Sequence, residues 1–519
     1  MREFVLDASF ALCWCFEDEA TPQTESTVNL KLGFGKFLEK CHDLFGFEDQ
    51  IMRLKLILIV LLTAALFPAA AQSQLPETPA ARQFSGWLAA FNSGDRETML
   101  KFLQGNFPGR VAQIDQMMRF QGQVGGFDFK KVEESTPTRL TGIVKEHNSY
   151  AFARFEITVD PAEPHQITFL NLRRLEEMPP PRTSEAEALA ALRAKLAKES
   201  AADRFAGAVL VARHGKPVFQ EAYGLADREK KVPNSLSTRF RIGSMNKMFT
   251  AVATLQLVEA GKIKLTDPLG KYLTDYPNKD VASKVTVHHL LTHSGGTGDI
   301  FGPQFDAHRL ELRTLQDYVK LYGQRGLEFE PGSRWAYSNY GFLLLGVLIE
   351  KVTGQSYYDY VQEHVYKPAG MTSTASLAEN ETVPGRSTGY TNGPGGDSWH
   401  PNTDTLPYRG TSAGGGYSTV EDLLRFANAL EQHKLLNAQN TELLTRAKNI
   451  PGGVRYAYGF FDQVEGGVRC FGHGGGAPGM NGDLRICPAA GYVVAVLANM
   501  DAPAAERISD FVANRLPEK

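Results

Sequence analysis

The chain has 519 residues, too many for one ordinary hydrophobic core, so two or three domains are expected. Hydrophobic residues make up 43% and charged residues 22%, which is typical of a globular protein and excludes a disordered chain. The formal net charge is only -3, so the sequence offers no electrostatic support for a nucleic-acid partner.

Residues 1–51 precede a second start at Met52. Their opening, "FVLDASFALCWCFEDEA", resembles the first strand and turn of PIN-type ribonucleases, with Asp7 as the matching acid. The resemblance is too short to form that fold or its multi-acid metal site. We therefore interpret 1–51 as a non-native upstream extension; the alternative is a functional cytoplasmic extension.

Residues 52–71 have the pattern of a signal peptide. Basic residues follow Met52, an apolar run covers 56–67, and small residues lead to a predicted cut after Ala71. The alternative, a membrane anchor, is disfavoured because the run is short for a bilayer span. The sequence thus predicts a periplasmic or secreted protein that meets the membrane only during export.

Residues 76–177 predict a small α+β module that loosely resembles NTF2-like cone folds. Helical and then alternating apolar spacing occurs in five segments: 80–94, 96–105, 138–147, 150–160 and 165–177. The module has no catalytic constellation, so an accessory packing or substrate-positioning role is expected. A stiff linker over 178–183 follows, with prolines at 179–181.

Residues 184–519 predict one large α+β domain. Its elements are a helix over 184–200, strands over 206–215 and 216–224, a mostly helical middle, strands over 466–473, 481–488 and 491–500, and a helix over 502–516. We expect the early and late strands to join in one antiparallel sheet flanked by helices, with the helical insertion as a subdomain beside it.

The stretch "RIGSMNKMFT" places Ser244 three residues before Lys247. Apolar residues at helical spacing follow, and Gly261 ends the pattern, so Ser244 lies at a helix N-terminus with Lys247 one turn on. Free N–H groups there favour an alkoxide or oxyanion, and a buried lysine can act as a base. The alternative is an N-cap serine beside a solvated lysine.

Two further segments carry polar groups suited to a reacting centre. "PGSRWAYSNYGFLLLGVLIEKVTG" sets Tyr337, Ser338 and Asn339 at the start of a helix. "CFGHGGGAPGMNG" sets His473 at the end of a strand that runs into glycines, whose edge can offer backbone N–H groups to a substrate.

In this order and spacing, the segments resemble the serine β-lactamase and penicillin-binding protein superfamily. The class C-like branch, with its D-alanyl-D-alanine carboxypeptidases, esterases and D-amino-acid peptidases, is the most similar. The resemblance covers roughly 200 to 500. It includes the connecting phrases "VTVHHLLTHSGG" and "SAGGGYSTVEDLLRFANAL" as well as the motifs.

The resemblance implies a role for each motif side chain. Ser244 would be the acylated nucleophile, and Lys247 would take its proton. Tyr337 would assist and protonate the leaving group. Asn339 would orient Lys247 and the substrate amide.

The resemblance also implies a substrate-binding strand edge. The N–H groups of Ser244 and Gly476 would form the oxyanion hole, with Gly474 and Gly475 beside the substrate. His473 stands where many relatives have the lysine of Lys-Thr-Gly. Histidine titrates near neutral pH and is often uncharged, so carboxylate recognition is in doubt.

Three other features are weaker candidates. "GTSAG" puts Ser412 in a Gly-x-Ser-x-Gly pattern, but no strand precedes it, so a loop is predicted. His289 and His293 have metal-ligand spacing without a third ligand, so a packed role shaping the loop "THSGG" is favoured. Cys470 and Cys487 could pair on neighbouring strands, which sequence alone leaves open.

The sequence thus predicts an exported serine hydrolase with no metal and no organic cofactor. Its substrate would be an ester, a D-amino-acid peptide or a β-lactam-like amide, with peptidoglycan-derived peptides among the candidates. The alternative is a catalytically silent binding or scaffolding protein of the cell envelope that keeps the fold.

Overall fold

The computed structural model describes residues 75–147, 151–175, 182–392, 398–465 and 467–518. These residues fall into two compact units, one formed by 75–147 with 151–175 and the other by the described residues from 182 onward. The predicted extension, signal peptide and prolines 179–181 lie outside the described residues. None of the described helices has the length and apolar character needed to cross a bilayer.

The smaller unit combines helices with a four-stranded antiparallel sheet. The helices are α1 (Pro79–Asn92), α2 (Arg96–Asn106) and α3 (Ile114–Val124), and the strands, paired in chain order, are β1 (Phe127–Ser135), β2 (Arg139–Glu146), β3 (Phe152–Val159) and β4 (Ile167–Arg174). Its core is aromatic: the rings of Phe84 and Phe155 stack with centroids 3.7 Å apart. Alternating apolar spacing did not predict β1, because this edge strand is rich in charged residues and only its Phe127 is fully buried.

The larger unit has its long strands early and late in its sequence and short strands between them. They are β5 (Gly207–Arg213), β6 (Lys216–Tyr223), the short β7 (Leu225–Asp227), β8 (Val232–Pro233), β9 (Phe240–Arg241), β10 (Tyr390–Thr391), β11 (His400–Pro401) and β12 (Tyr417–Ser418), and then β13 (Phe461–Glu465), β14 (Val468–Ala477), β15 (Met480–Cys487) and β16 (Tyr492–Ala498). Six of them form one antiparallel sheet in the order β13–β14–β15–β16–β5–β6. This confirms the prediction that early and late strands join.

Helices cover both faces of this sheet. They are α4 (Glu185–Ala201), α5 (Asn246–Glu259), α6 (Lys279–Lys284), α7 (Val287–Leu291), α8 (Pro303–His308), α9 (Leu315–Tyr322), α10 (Asn339–Thr353), α11 (Tyr357–Val361), α12 (Lys367–Ala369), α13 (Val420–Glu431), α14 (Ala438–Thr445) and α15 (Glu506–Ala513). Leu192 of α4 and Ile508 of α15 share an apolar cluster with Val494 of β16. On the other face, α5 and α10 are buried in the main core, which makes them rigid supports for polar side chains at their N-termini.

Strand β14 corrects one prediction. It does not end at His473 but continues through three glycines to Ala477, paired with β15 throughout. The glycines do not end the strand; they allow its backbone to approach the backbone at Ile242 closely. A Cβ atom added at Gly475 would lie 2.0 Å from the backbone oxygen of Ile242.

Cys470 and Cys487 form a disulfide between β14 and β15, 17 residues apart in sequence. Such a crosslink restricts the unfolded chain, and a loop of this length corresponds to about 3 kcal/mol of stability.

We expect the double variant Cys470→Ser, Cys487→Ser to lose about 3 kcal/mol of unfolding free energy, measured by urea unfolding. A reductant should lower the wild-type midpoint and leave the double variant unchanged. Equal midpoints for the two proteins would contradict this account.

Candidate active site

Ser244 lies in a single 3-10 turn, Gly243–Met245, that leads directly into α5. Lys247 is in the first turn of that helix, and its Nζ donates to Ser244 Oγ at 3.0 Å. Ser244 and Lys247 thus lie on the same face, as their spacing in the sequence predicted. At this distance a proton can pass from the hydroxyl to an uncharged amine.

Lys247 is fully buried, so its Nζ depends on protein acceptors. Besides Ser244, it donates to Asn339 Oδ1 at 2.7 Å and to the backbone oxygen of Ala413 at 2.6 Å. Ala413 belongs to the "GTSAG" segment, which is a loop as predicted. The sequence pattern of this loop drew attention only to Ser412, because no side-chain pattern reveals the role of a backbone carbonyl group.

Ser412 itself does not point into the site. Its side chain is fully buried, and a Cβ atom added at Gly346 of α10 would lie 2.3 Å from its Oγ. The Ser412 hydroxyl is therefore packed against α10.

Asn339 is held in one orientation by a residue that sequence reasoning missed. Asp299 accepts from the Asn339 backbone N–H at 2.9 Å and from Nδ2 at 3.1 Å. Because Nδ2 is engaged, Oδ1 must face Lys247. Burial raises the pKa of the Asp299 carboxyl, while hydrogen bonds from Ile300 and Asn339 oppose that shift. Asp299 follows the loop "THSGG", and its distance from the motifs in sequence hid its role.

Tyr337 lies beside the same lysine. Lys247 Nζ is 4.6 Å from the centroid of the Tyr337 ring, and that ring packs on the imidazole of His293 with centroids 4.3 Å apart. Ser338, the next residue, caps α10 by accepting from the Gly341 N–H at 2.9 Å. The cap fixes where α10 begins, and with it the position of Tyr337.

The glycines of β14 pack against the nucleophile turn. A Cβ atom added at Gly475 would lie 3.0 Å from the Ser244 nitrogen, and one added at Gly243 would lie 3.1 Å from the Gly476 nitrogen. The two N–H groups predicted to form the oxyanion hole therefore belong to adjoining backbone segments. A Cβ atom added at Gly474 would point to the opposite face of β14 and would lie 3.4 Å from Glu506 Oε1.

His473 is buried on the Ser244 side of β14. Its Nε2 lies 3.1 Å from Tyr456 Oη, and its Nδ1 contacts the backbone oxygen of Gly474. Burial and then the nearby Lys247 lower the His473 pKa to about 3. The imidazole is therefore neutral at pH 7, which removes the fixed cation that a lysine would supply.

The two histidines considered for a metal both make internal hydrogen bonds. His289 Nδ1 accepts from the Thr286 N–H at 3.2 Å, and His293 Nδ1 accepts from the Ser338 N–H at 3.1 Å. Both therefore have packed roles, and His293 connects the "THSGG" loop to the start of α10. Within the described ranges, no three His, Cys, Asp or Glu residues are grouped to hold a metal.

Comparison with known proteins identifies the family. Residues 192–518 match the Beta-lactamase family model, which is more than half of the chain. The chain therefore belongs to the β-lactamase family, within the superfamily that also contains penicillin-binding proteins.

Two curated relatives of this chain have names that indicate different functions. Penicillin-binding protein 4* of Bacillus subtilis (strain 168) is 32% identical over 296 residues, 53% of this chain and 64% of that protein. Esterase EstB of Burkholderia gladioli is 37% identical over 182 residues, 32% of this chain and 46% of that protein. The chain thus spans less than two thirds of either relative.

Solved structures share the fold of the larger unit. A penicillin-binding protein from Bacillus halodurans has a TM-score of 0.55 and 33% identity, covering 61% of this chain and 98% of its own. A D-stereospecific amidohydrolase from Streptomyces sp. has a TM-score of 0.53 and 29% identity, covering 62% and 97%.

The contact between Asp299 and Asn339 generates a test. In Asp299→Asn, one acceptor for Asn339 becomes a donor, so the Asn339 amide should turn and present Nδ2 to Lys247. Loss of a charged hydrogen bond predicts an acylation rate at Ser244 about 10- to 100-fold lower, measured with a fluorophosphonate and intact mass. The control is Asp306→Asn on the exposed side of α8. Equal rates for the two variants would show that Asp299 does not orient Asn339.

Proposed function

We propose that this protein is a serine hydrolase that works through an acyl-enzyme at Ser244. The observation that carries the proposal is the 3.0 Å contact between Ser244 Oγ and a lysine with no solvent access. A serine that merely caps a helix does not need a buried lysine, because burying a charged group is costly unless it is used or fully paired.

In the proposed reaction, Lys247 accepts the proton of Ser244 as its Oγ attacks the substrate carbonyl carbon. The N–H groups of Ser244 and Gly476 stabilise the oxyanion of the tetrahedral intermediate. Collapse of the intermediate expels the alcohol or amine, which takes a proton relayed through Tyr337. Water then attacks the ester of Ser244, one of its protons passes to Ser244 Oγ, and the acid product leaves.

The substrate is proposed to be a small ester or an amide of a D-amino acid or peptide. The similar proteins support this range, since they include an esterase and a D-stereospecific amidohydrolase. A β-lactam stays in the range because penicillin-binding proteins are also similar to this chain. Peptidoglycan-derived peptides fit the exported setting proposed below.

The decisive experiment compares wild type, Ser244→Ala and the control Ser412→Ala. Each is incubated with p-nitrophenyl acetate, nitrocefin and a D-alanyl-D-alanine peptide, and intact mass reports the adduct. We expect Ser244→Ala to lose at least about 10³-fold in turnover, as nucleophile removal does elsewhere, while Ser412→Ala keeps its activity. An adduct that persists in Ser244→Ala would refute the proposal. Peptidoglycan-fragment binding by wild type without any adduct would favour the silent-binder alternative.

We also propose that the protein is exported, to the periplasm or beyond the cell. The pattern over 52–71 motivates this, and the Cys470–Cys487 disulfide supports it because such bonds persist in oxidising compartments.

Expression of the chain from Met52 onward in a Gram-negative host, followed by fractionation and intact mass, tests the export proposal. We expect the mature protein in the periplasm with Gln72 first, and a variant with Leu61 and Leu62 changed to Arg should stay in the cytoplasm because the apolar run is broken. A cytoplasmic protein that retains residues 52–71 would contradict export.

A further inference from the structure

Tyr456 lies between two buried histidines in the larger unit. Its Oη is 3.1 Å from His293 Nε2 and 3.1 Å from His473 Nε2. All three side chains are at most 2% exposed. Tyr456 lies outside the sequence motifs, and only the structure shows its hydrogen bond with His473.

The backbone determines the direction of each hydrogen bond. The Ser338 N–H can only donate, so His293 Nδ1 is an acceptor and its Nε2 carries the hydrogen. The Gly474 carbonyl can only accept, so His473 Nδ1 carries a hydrogen. Because His473 is neutral, its Nε2 is an acceptor. His293 Nε2–H therefore donates to Tyr456 Oη, and the Tyr456 hydroxyl donates to His473 Nε2.

The segment that places His293 is conformationally unusual. His293 has φ of +57°, in the left-handed region that non-glycine residues rarely adopt. Such backbone strain persists only where the surroundings fix it, and it clusters at functional sites. Here the bonds from Ser338 and to Tyr456 hold the imidazole in place.

The surroundings of His473 also disfavour a second positive charge. Lys247 is the charged group whose field reaches His473, and the rings of Phe461 and Tyr337 pack nearby, with centroids 5.0 Å and 6.4 Å away. An imidazolium at this position would be buried, next to a lysine, without a carboxylate among its described contacts. Both ring nitrogens are already used within the protein.

We propose that Tyr456 is a specificity-determining positioning residue that holds His473 as a neutral Nδ1–H tautomer, so that the site favours leaving groups without a carboxylate. This rests on the proposed acyl-enzyme function and deepens it. The substrate class is an ester or amide whose departing alcohol or amine is uncharged at this position, rather than one with a free C-terminal carboxylate.

The tautomers are measured first, in the full chain labelled with 15N-histidine. Long-range nitrogen–proton spectra distinguish the two tautomers, and His293→Gln and His473→Gln assign the signals. We expect an Nδ1–H signal for His473 and an Nε2–H signal for His293, both unchanged between about pH 5 and 9, where an ordinary histidine titrates. The opposite tautomer or a titration in that range at either residue overturns the proposal. This measurement does not depend on turnover.

The specificity is measured with 3-carboxyphenyl acetate and 3-carbamoylphenyl acetate, each corrected for its spontaneous hydrolysis. Because a neutral His473 cannot pair with the carboxylate, we expect kcat/KM to favour the carbamoyl ester about 10-fold or more in wild type. Tyr456→Phe removes the O–H group that occupies His473 Nε2, so that nitrogen can take up a proton, and the preference should fall because an imidazolium can pair with the carboxylate. A wild type that prefers the carboxylate ester would sink the proposal.

The matched control is Tyr458→Phe, because Tyr458 Oη bonds His288 Nδ1 at 2.8 Å outside the site. It should leave both the preference and the His473 tautomer unchanged; an equal effect in both variants would make Tyr456 a merely structural residue. Fluorophosphonate labelling of Ser244 accompanies each variant. Absence of labelling in wild type would refute the proposed function, whereas labelling with the wrong tautomer or preference would refute only this inference.

Discussion

The side-chain nitrogen of Lys247 is cut off from water and depends on oxygen atoms from separate parts of the chain. Ser244 lies on the same helix turn, Asn339 begins α10, and Ala413 belongs to a distant loop. A buried polar group that loses its hydrogen-bond partners is destabilising, so a shift of one segment would weaken the bonds of this nitrogen. The need to satisfy one nitrogen thus couples α5, α10 and the loop into a single rigid site.

A second requirement is that the lysine's partners be oriented as well as present. Asp299 fixes the Asn339 amide, and Ser338 both caps α10 and donates through its backbone N–H to His293. These contacts fix the Asn339 amide at the N-terminus of the buried helix α10. Such support keeps reacting groups in place without reorganisation at the moment of reaction.

The sequence predicted elements whose signal is local. Apolar periodicity identified α5, α10 and the central strands, and Ser244, Lys247, Tyr337 and Asn339 stood in motifs. The edge strand β1 was missed because it buries little, and β14 was ended too early because glycine usually interrupts strands. In β14 the glycines allow close contact with the turn that carries Ser244, and such a tertiary contact is not visible in the local sequence.

The supporting residues were beyond the reach of a single sequence. Asp299, Ala413 and Tyr456 lie far along the chain from the groups they hold, and each acts through one hydrogen bond or a pair of them. Ala413 contributes only its backbone oxygen, so its residue type carries no signal. Their roles follow from distances that periodicity and motif spacing do not encode.

The Cys470–Cys487 bond has a consequence for how β14 is aligned. Strand pairing is normally fixed by side chains on the two faces, and glycine-rich strands are prone to slip by a residue or two. Three consecutive glycines leave the functional end of β14 with no side chains to resist such a slip. The disulfide joins directly opposed positions just before that end, and so acts as a register lock for a strand that must be bare where it meets the nucleophile.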